Sequence, residues 1–278
     1  MKDYCIWVVS PAGYVHSRAF NESALSLSSA FRTLGFHAPV VCNFEQITNY
    51  PIILGGNLIP SADFFRLPKT AIIYNLEQIM IGSPWITDNY LNLLRSHEVW
   101  DYSKQNISEL MKLGISNVKY CRIGYVPELT RIKPAPFEID VLWYGSLNER
   151  RTHILQQLHD RGFKVKALFG VYGEERDAFI ARSKIVLNIH FYESKVLEIV
   201  RIFYLLANKR FVISEKGNDR ELEEPIRDGL VITEYDALVE ECAKYLTEDA
   251  LRNEIAEKGF SRIASFSQVQ LLRDVLNQ

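Results

Sequence analysis

Short apolar runs alternate with amphipathic stretches along almost the whole chain. In the first half "YCIWVVS", "APVVCN", "PIILGG", "TAIIYNL", "EVWDYS" and "VKYCRIG" read as buried strands, being short, rich in β-branched and aromatic residues, and bounded by turn formers. Between them lie helical patterns, notably "SRAFNESALSLSSAFRTLG", stopped by Gly35, and "WITDNYLNLLRSH". Near-continuous apolar strands separated by helices predict parallel sheets covered on both faces. Residues 126–139, "VPELTRIKPAPFEI", contain three prolines and no helical period, which marks a linker. The alternation then restarts through "DVLWYGS", "NERRTHILQQLHDRG", "KVKALFG", "GEERDAFIARS", "KIVLNIH", "RFVISE" and "VITEY", and the remainder reads as helix only. The pattern predicts an α/β protein of two Rossmann-like domains, residues 1–127 and 128–278, with parallel sheets facing across a cleft. The last helix, in "SFSQVQLLRDVLNQ", is expected to pack back on the first domain.

Composition narrows the class. At 278 residues, 47% hydrophobic and 24% charged, the chain has ample core for two domains and is not a disordered protein. A formal net charge of -2 supplies no basic field, so nucleic acid is not an expected partner. The four cysteines have no paired spacing, which argues against a metal or redox motif. The start, "MKDYCIWVVSPAG", lacks a signal-peptide layout, and no apolar stretch is long enough to span a bilayer. A cytoplasmic protein without a transmembrane segment is expected.

In open parallel sheets, ligands sit at the carboxyl ends of strands. Those positions here are Ser10–His16, Gly55–Asn57, Asn75–Gln78, Asp101–Ser103, Gly145–Arg151, His190–Glu193 and Ser214–Gly217. The turn "YGSLNERR" is the clearest anion site. Gly145 permits close backbone approach, Ser146 and Asn148 are helix-capping types, and Arg150 and Arg151 have the reach and charge for a phosphate; a capped helix with solvated arginines is the competing reading. No G-x-G-x-x-G or Walker loop occurs, which argues against an NAD enzyme or P-loop ATPase. In "LEIVRIFYLLANKRFVISE", helical geometry places Glu198, Arg201, Tyr204 and Asn208 on one stripe of an otherwise apolar helix. Either Glu198 and Arg201 pair at a domain edge, or the stripe lines a polar pocket; the cost of burying charges favours the pocket. His190 and Glu193 in the preceding loop, and Ser214 and Glu215 at the end of the next strand, fall on the same side.

These residues resemble the donor-binding half of a GT-B glycosyltransferase, of the bacterial and spore-protein group 1 type, with its "R-x-F-E-x-L-A-C-G-x-x-x-x-S" signature. The matching stretch runs from Arg201 through Phe203, Tyr204, Leu206, Ala207, Asn208 and Lys209 to Ser214. "DVLWYGSLNERRTHILQQL" is similar to the opening of the family's second domain, and "VWDYSKQNISELMKLGISNVKYCRIGYVPE" to the end of its first. The likeness covers most of the chain from "TAIIYNL" onward. Two positions depart: Tyr204 stands for the usual glutamate and Lys209 for the glycine, while Glu198, one turn earlier than Arg201, is placed to supply the missing carboxylate.

The resemblance implies transfer of a sugar from a nucleotide-diphosphate sugar to a hydroxyl acceptor, a glycan or surface-polysaccharide precursor. It implies a metal-independent reaction with no cofactor beyond the donor, and no D-x-D motif is present. A carboxylate near the helix start would accept hydrogen bonds from ribose hydroxyls, and Arg150 or Arg151, with Arg201, would neutralise the diphosphate. An inverting reaction needs a general base; His16, Glu77 and Asp101 are the candidates, each with a structural alternative. Two other readings stay open: a UDP-sugar epimerase-like enzyme of the same fold, and a non-catalytic interaction protein, suggested by Tyr204 and Lys209.

Overall fold

The computed structural model describes residues 2–80 and 82–278. The chain divides into two compact units, one of Met1–Glu128 with Phe266–Gln278 and one of Leu129–Ser265.

The first unit holds strands β1 (Tyr4–Val8), β2 (Val40–Val41), β3 (Tyr50–Leu54), β4 (Ile72–Asn75), β5 (Glu98–Asp101) and β6 (Val118–Tyr120). Their spatial order is β2-β1-β3-β4-β5-β6, and every pair is parallel. Helices α1 (Asn21–Thr33), α2 (Asp88–Ser96) and α3 (Lys104–Lys112) connect them. Helix α1 buries Ala24, Leu27, Ala30 and Phe31, the spacing of one helical face. It starts later than its pattern predicts, because Val15–Phe20 form a 3-10 stretch, as is common at helix N-termini. Helices α2 and α3 begin where Thr87 and Ser103 accept hydrogen bonds from the backbone N–H groups of Tyr90 and Asn106, which satisfies otherwise orphaned donors.

The second unit holds β7 (Ile139–Tyr144), β8 (Val165–Leu168), β9 (Ser183–Asn188), β10 (Val212–Glu215) and β11 (Val231–Thr233), ordered β11-β10-β9-β7-β8 and again all parallel. Helices α4 (Glu149–Asp160), α5 (Gly173–Ala181), α6 (Ile199–Ala207), α7 (Arg220–Glu223), α8 (Leu238–Leu246) and α9 (Asp249–Ala264) complete it. Its core joins Trp143, Leu187 and Ile213 of the sheet to Ile154 and Leu158 of α4 and to Leu238 and Cys242 of α8. Strand β7 lies between β8 and β9, so the chain leaves it in one direction and later returns on its other side. The loops after β7 and β9 therefore part, and the crevice at their carboxyl ends is the topological switch point.

The last helix, α10 (Gln268–Leu276), belongs to the first unit, where it packs on α1. Gln268 Oε1 accepts the Gly124 N–H at 2.7 Å, and the Gly124 carbonyl accepts Ser26 Oγ at 3.0 Å. A Cβ on Gly124 would stand 2.8 Å from the Gln268 backbone, so only glycine admits this approach. Among the described residues no helix is long and apolar enough to cross a membrane.

Lys209 follows α6 with φ +54, the left-handed conformation that suits the glycine of the signature this stretch resembles. Its ammonium lies 3.0 Å from Glu257 on the surface, an exposed pair of small worth. Lys209→Gly is therefore expected to raise the unfolding free energy by about 0.5–1 kcal/mol, seen as a higher urea midpoint. A lowered midpoint would mean that the surface pair outweighs the backbone strain.

Candidate active site

The switch point of the second unit gathers most of the charged residues singled out from the sequence. Gly145 leaves β7 with φ +135, and a Cβ there would stand 2.8 Å from Arg201 Nη2. The glycine thus makes room for a guanidinium over the strand end. Arg201 Nη1 donates to Asn188 Oδ1 at 3.0 Å, and its guanidinium lies 4.8 Å from the centre of the Tyr144 ring. Arg201 is half-buried.

Arg151 is different. It is 4% exposed and donates Nε and Nη2 to the Ile189 carbonyl at 2.9 and 2.6 Å and Nη1 to the Ser146 carbonyl at 2.8 Å. It ties the β7 loop to the β9 loop between the rings of Trp143 and Phe191. Burial, followed by the neighbouring charge of Arg201, lowers its pKa to about 10. Asn148 Oδ1 accepts the Arg151 N–H at 3.0 Å and caps α4. Arg150 turns the other way, donating to both oxygens of Glu215 at 2.7 and 3.1 Å and stacking on Tyr235. Adjacent helical residues point about 100° apart, and only the structure tells which arginine faces where. Both are committed to protein acceptors; Arg201, half-buried like Arg150, donates from Nη1 to Asn188 and lies against Gly145 and Tyr144.

Glu198 precedes α6 rather than riding on it. One oxygen meets His190 Nδ1 at 3.0 Å and Asn188 Nδ2 at 2.9 Å, and the other lies 3.6 Å from Arg151 Nη2. Burial alone would raise its pKa, but the bond and charge from His190, with Arg201 and Asn188, prevail and hold it down to about 2. Asn188, fully buried at the end of β9, also donates to Ser214 Oγ at 3.0 Å. It connects Glu198, Arg201 and Ser214. The sequence reading missed it, since one polar residue ending "KIVLN" looks like an ordinary strand terminus. Glu215, 1% exposed, further accepts the His190 N–H at 3.0 Å and Lys195 Nζ at 2.9 Å. Glu193 is exposed on the loop.

The stripe on α6 divides. Glu198 and Arg201 serve the switch point, but Tyr204 donates to Asp177 at 2.6 Å and accepts Arg131 Nε at 2.9 Å. Asn208 Oδ1 accepts the N–H groups of Arg131 and Ile132, both at 2.8 Å. The lower half of the stripe therefore anchors the segment that enters the unit, an expectation corrected by the demand of its buried backbone for partners. Tyr204 does not stand in for the family's glutamate at the switch point.

The three candidate bases lie in the first unit. Asp101 is fully buried at the end of β5 and accepts Asn75 Nδ2 at 2.6 Å, the Ser103 N–H at 2.8 Å and Asn106 Nδ2 at 3.2 Å. Burial pushes its pKa up to about 7 despite these donors. Its carboxylate is a junction between the loops after β4 and β5. Asp101→Asn would turn an N–H₂ against converging donors and is expected to lower the unfolding free energy by about 2 kcal/mol. Because the folded pKa exceeds the ordinary value of 3.8, wild-type stability from this group falls as pH rises from 3.8 toward 7, and the variant should lose that slope. Urea titrations across this range check both; a variant as stable as wild type would remove Asp101 from the frame. Glu77, half-buried after β4, has its pKa raised to about 6 by burial, against a hydrogen bond from Asn57. His16, half-buried, sits edge-on to Tyr14 with ring centres 5.2 Å apart.

A family model described as glycosyl transferase-like matches residues 133–272. The chain belongs to the glycosyl transferase-like family. The match covers the switch-point crevice and its arginines. Two uncharacterised proteins of Acanthamoeba polyphaga mimivirus are also similar, one 29% identical over 186 residues (63% of this chain, 59% of the relative) and one 29% identical over 154 residues (54% and 53%). The chain thus spans little more than half the length of these relatives. Among solved structures, Anabaena HepE in complex with UDP and glucose has a TM-score of 0.63 at 12% identity, covering 100% of this chain and 99% of that one. The sucrose-phosphate synthase of Thermosynechococcus elongatus gives 0.64 at 10% identity with the same coverage, and WaaG, a glycosyltransferase involved in lipopolysaccharide biosynthesis, 0.60 at 11%, covering 99% and 98%. These likenesses show a shared glycosyl transferase-like fold, the GT-B fold that the residue pattern resembles.

Proposed function

We propose that this glycosyl transferase-like protein moves a sugar from a nucleotide-diphosphate sugar to a hydroxyl acceptor, with the second unit holding the donor. The observation that carries this reading is Arg201, a half-buried guanidinium set over Gly145 at the switch point. A diphosphate leaving group develops negative charge as the glycosidic bond breaks, and a preorganised cation at that point stabilises it. The N-terminus of α4, which follows directly, adds the positive end of a helix dipole. Arg151 and Asn188 act one step back, holding the two loops and the Arg201 side chain in place. In this reading the positive charge comes from the protein and the reaction needs no metal ion. HepE, of the same fold, has been captured with UDP and glucose, which supports a uridine nucleotide as the first donor to try.

The test is a thermal-shift panel of UDP, GDP and ADP, followed by nucleotide release from the matching sugar nucleotide. A ligand that binds only the native state raises its melting temperature, so at least one nucleoside diphosphate should stabilise the protein and its sugar conjugate should turn over. Conversion of the sugar without nucleotide release would favour the epimerase-like reading. No stabilisation by any nucleotide would overturn the proposal.

A further inference from the structure

The loop between β9 and α6 is strapped down in a conformation that its residues do not favour. Lys195 has φ +46, the left-handed region in which a β-carbon crowds the backbone. A second loop, residues 216–219 after β10, holds it there. The Asn218 N–H donates to the Lys195 carbonyl at 2.9 Å, and Asn218 Nδ2 donates to the Ser194 carbonyl at 3.0 Å. Gly217 lets the two loops touch: a Cβ there would stand 2.5 Å from the Lys195 carbonyl oxygen and 2.6 Å from Glu223 Oε1. Lys195 Nζ completes the strap, 2.9 Å from Glu215 Oε1.

Charge and hydrogen bonding are out of balance along this strap. The buried Glu215 already meets Arg150 through both of its oxygens, and the His190 N–H besides. Lys195 is thus a second cation on one carboxylate, with a side chain 34% exposed. His190 Nε2 is buried without a hydrogen-bond partner among the described residues, and the Cβ position of Gly217 lies 3.2 Å from it. The strap covers this nitrogen and gives it nothing to bond. A left-handed lysine, a surplus charge and an orphaned ring nitrogen in one short region mark a segment with a second arrangement. The other end of the β9 loop borders the switch point. There Phe191 packs on Arg151, and its carbonyl accepts Asn148 Nδ2 at 3.4 Å.

We infer that Lys195 is a movable phosphate ligand that latches this loop in the free protein. When a diphosphate enters the switch point, the ammonium leaves Glu215 and joins Arg201 on the phosphate oxygens, and the strap loosens. The diphosphate rests on the donor reading of the crevice; the latch stands on the geometry of residues 191–198 and 216–219. The exchange costs little at Glu215, because Arg150 still neutralises the carboxylate once Lys195 has gone. Neither Arg150, forked on Glu215, nor Arg151, buried against the Ile189 and Ser146 carbonyls, is free to make the same move. Lysine suits the task, being a compact charge on a four-carbon stem with rotatable donors.

Hydrogen exchange read by mass spectrometry on the full chain, with and without inorganic pyrophosphate, tests the latch. In the wild type, peptides covering 191–198 and 216–219 should exchange faster once pyrophosphate is bound, because the strap opens locally. Lys195→Met should bind pyrophosphate about tenfold more weakly in titration calorimetry, and its two loops should exchange fast with or without the ligand. Lys195→Arg should recover most of the affinity and the ligand-dependent change, a rescue that a merely structural lysine would not give. Both variants should melt near the wild type, since Glu215 keeps Arg150. A Lys195→Met protein that binds like the wild type, or loops that exchange no faster as pyrophosphate binds, overturns the inference, as does a wild type that binds no pyrophosphate. Arg201→Ala separates the two readings: if it leaves pyrophosphate binding unchanged while Lys195→Met weakens it, the donor assignment of the crevice fails and the latch stands.

Discussion

Arg201→Ala should weaken UDP binding about 100-fold, the equivalent of about 2.7 kcal/mol, and lower kcat/KM for the sugar nucleotide at least as much. Among the described residues its side chain donates to Asn188 Oδ1 and lies over the Tyr144 ring, so the melting temperature should change little. Arg201→Lys should restore only part of the loss. A lysine keeps the charge but cannot place two parallel N–H donors on a phosphate while also holding Asn188. Titration calorimetry with UDP gives the binding term and initial rates the remainder. If affinity for UDP stays unchanged in the alanine variant, the donor diphosphate lies elsewhere and the crevice at β7 and β9 loses its assignment.

Glu198→Ala should be the most destabilising single change in the second unit. The carboxylate faces His190, Asn188 and Arg151, and Arg151 and His190 are both buried. Removing one partner of a buried ion pair typically costs about 3–5 kcal/mol. The pH dependence carries a defined sign. The folded pKa, about 2, is depressed below the ordinary value of 4.5, so this stabilisation is fully present above 4.5 and is lost as pH falls through 2. From the shift it amounts to about 3 kcal/mol. Acid unfolding monitored by circular dichroism should begin at higher pH in the variant, and its melting temperature at neutral pH should fall by about 10 °C. A variant that melts with the wild type would show that the His190 and Arg151 bonds carry no net weight.

The architecture was readable because buried parallel strands leave an apolar run of distinctive length, and eleven of these runs became strands of two parallel sheets. The charges before and within α6 were readable for a complementary reason: Glu198 and Arg201 break an apolar segment that has no solvent-facing side. Less was visible where the decision rests on direction. Arg150 and Arg151 are neighbours in sequence, yet one grips Glu215 and the other disappears under two loops. Tyr204 and Asn208 share a face with Arg201, but their partners come from residues 129–132 and from Asp177, which periodicity does not reveal. Asn57 falls among the strand-end residues, but what distinguishes it is a buried amide oxygen with no hydrogen-bond partner among the described residues. Such a property exists only once every neighbour has been placed.

The C-terminal segment sets an order of events in synthesis. The first unit needs Phe266–Gln278, whose Gln268 closes on Gly124 and whose helix covers α1. Everything from Leu129 to Ser265 is made before that segment. On the ribosome the second unit therefore has all its residues first, although it is encoded later than most of the other. The first unit waits with α1 partly uncovered until the final helix emerges. Loss of those last residues would strike the half of the protein farthest from them in sequence.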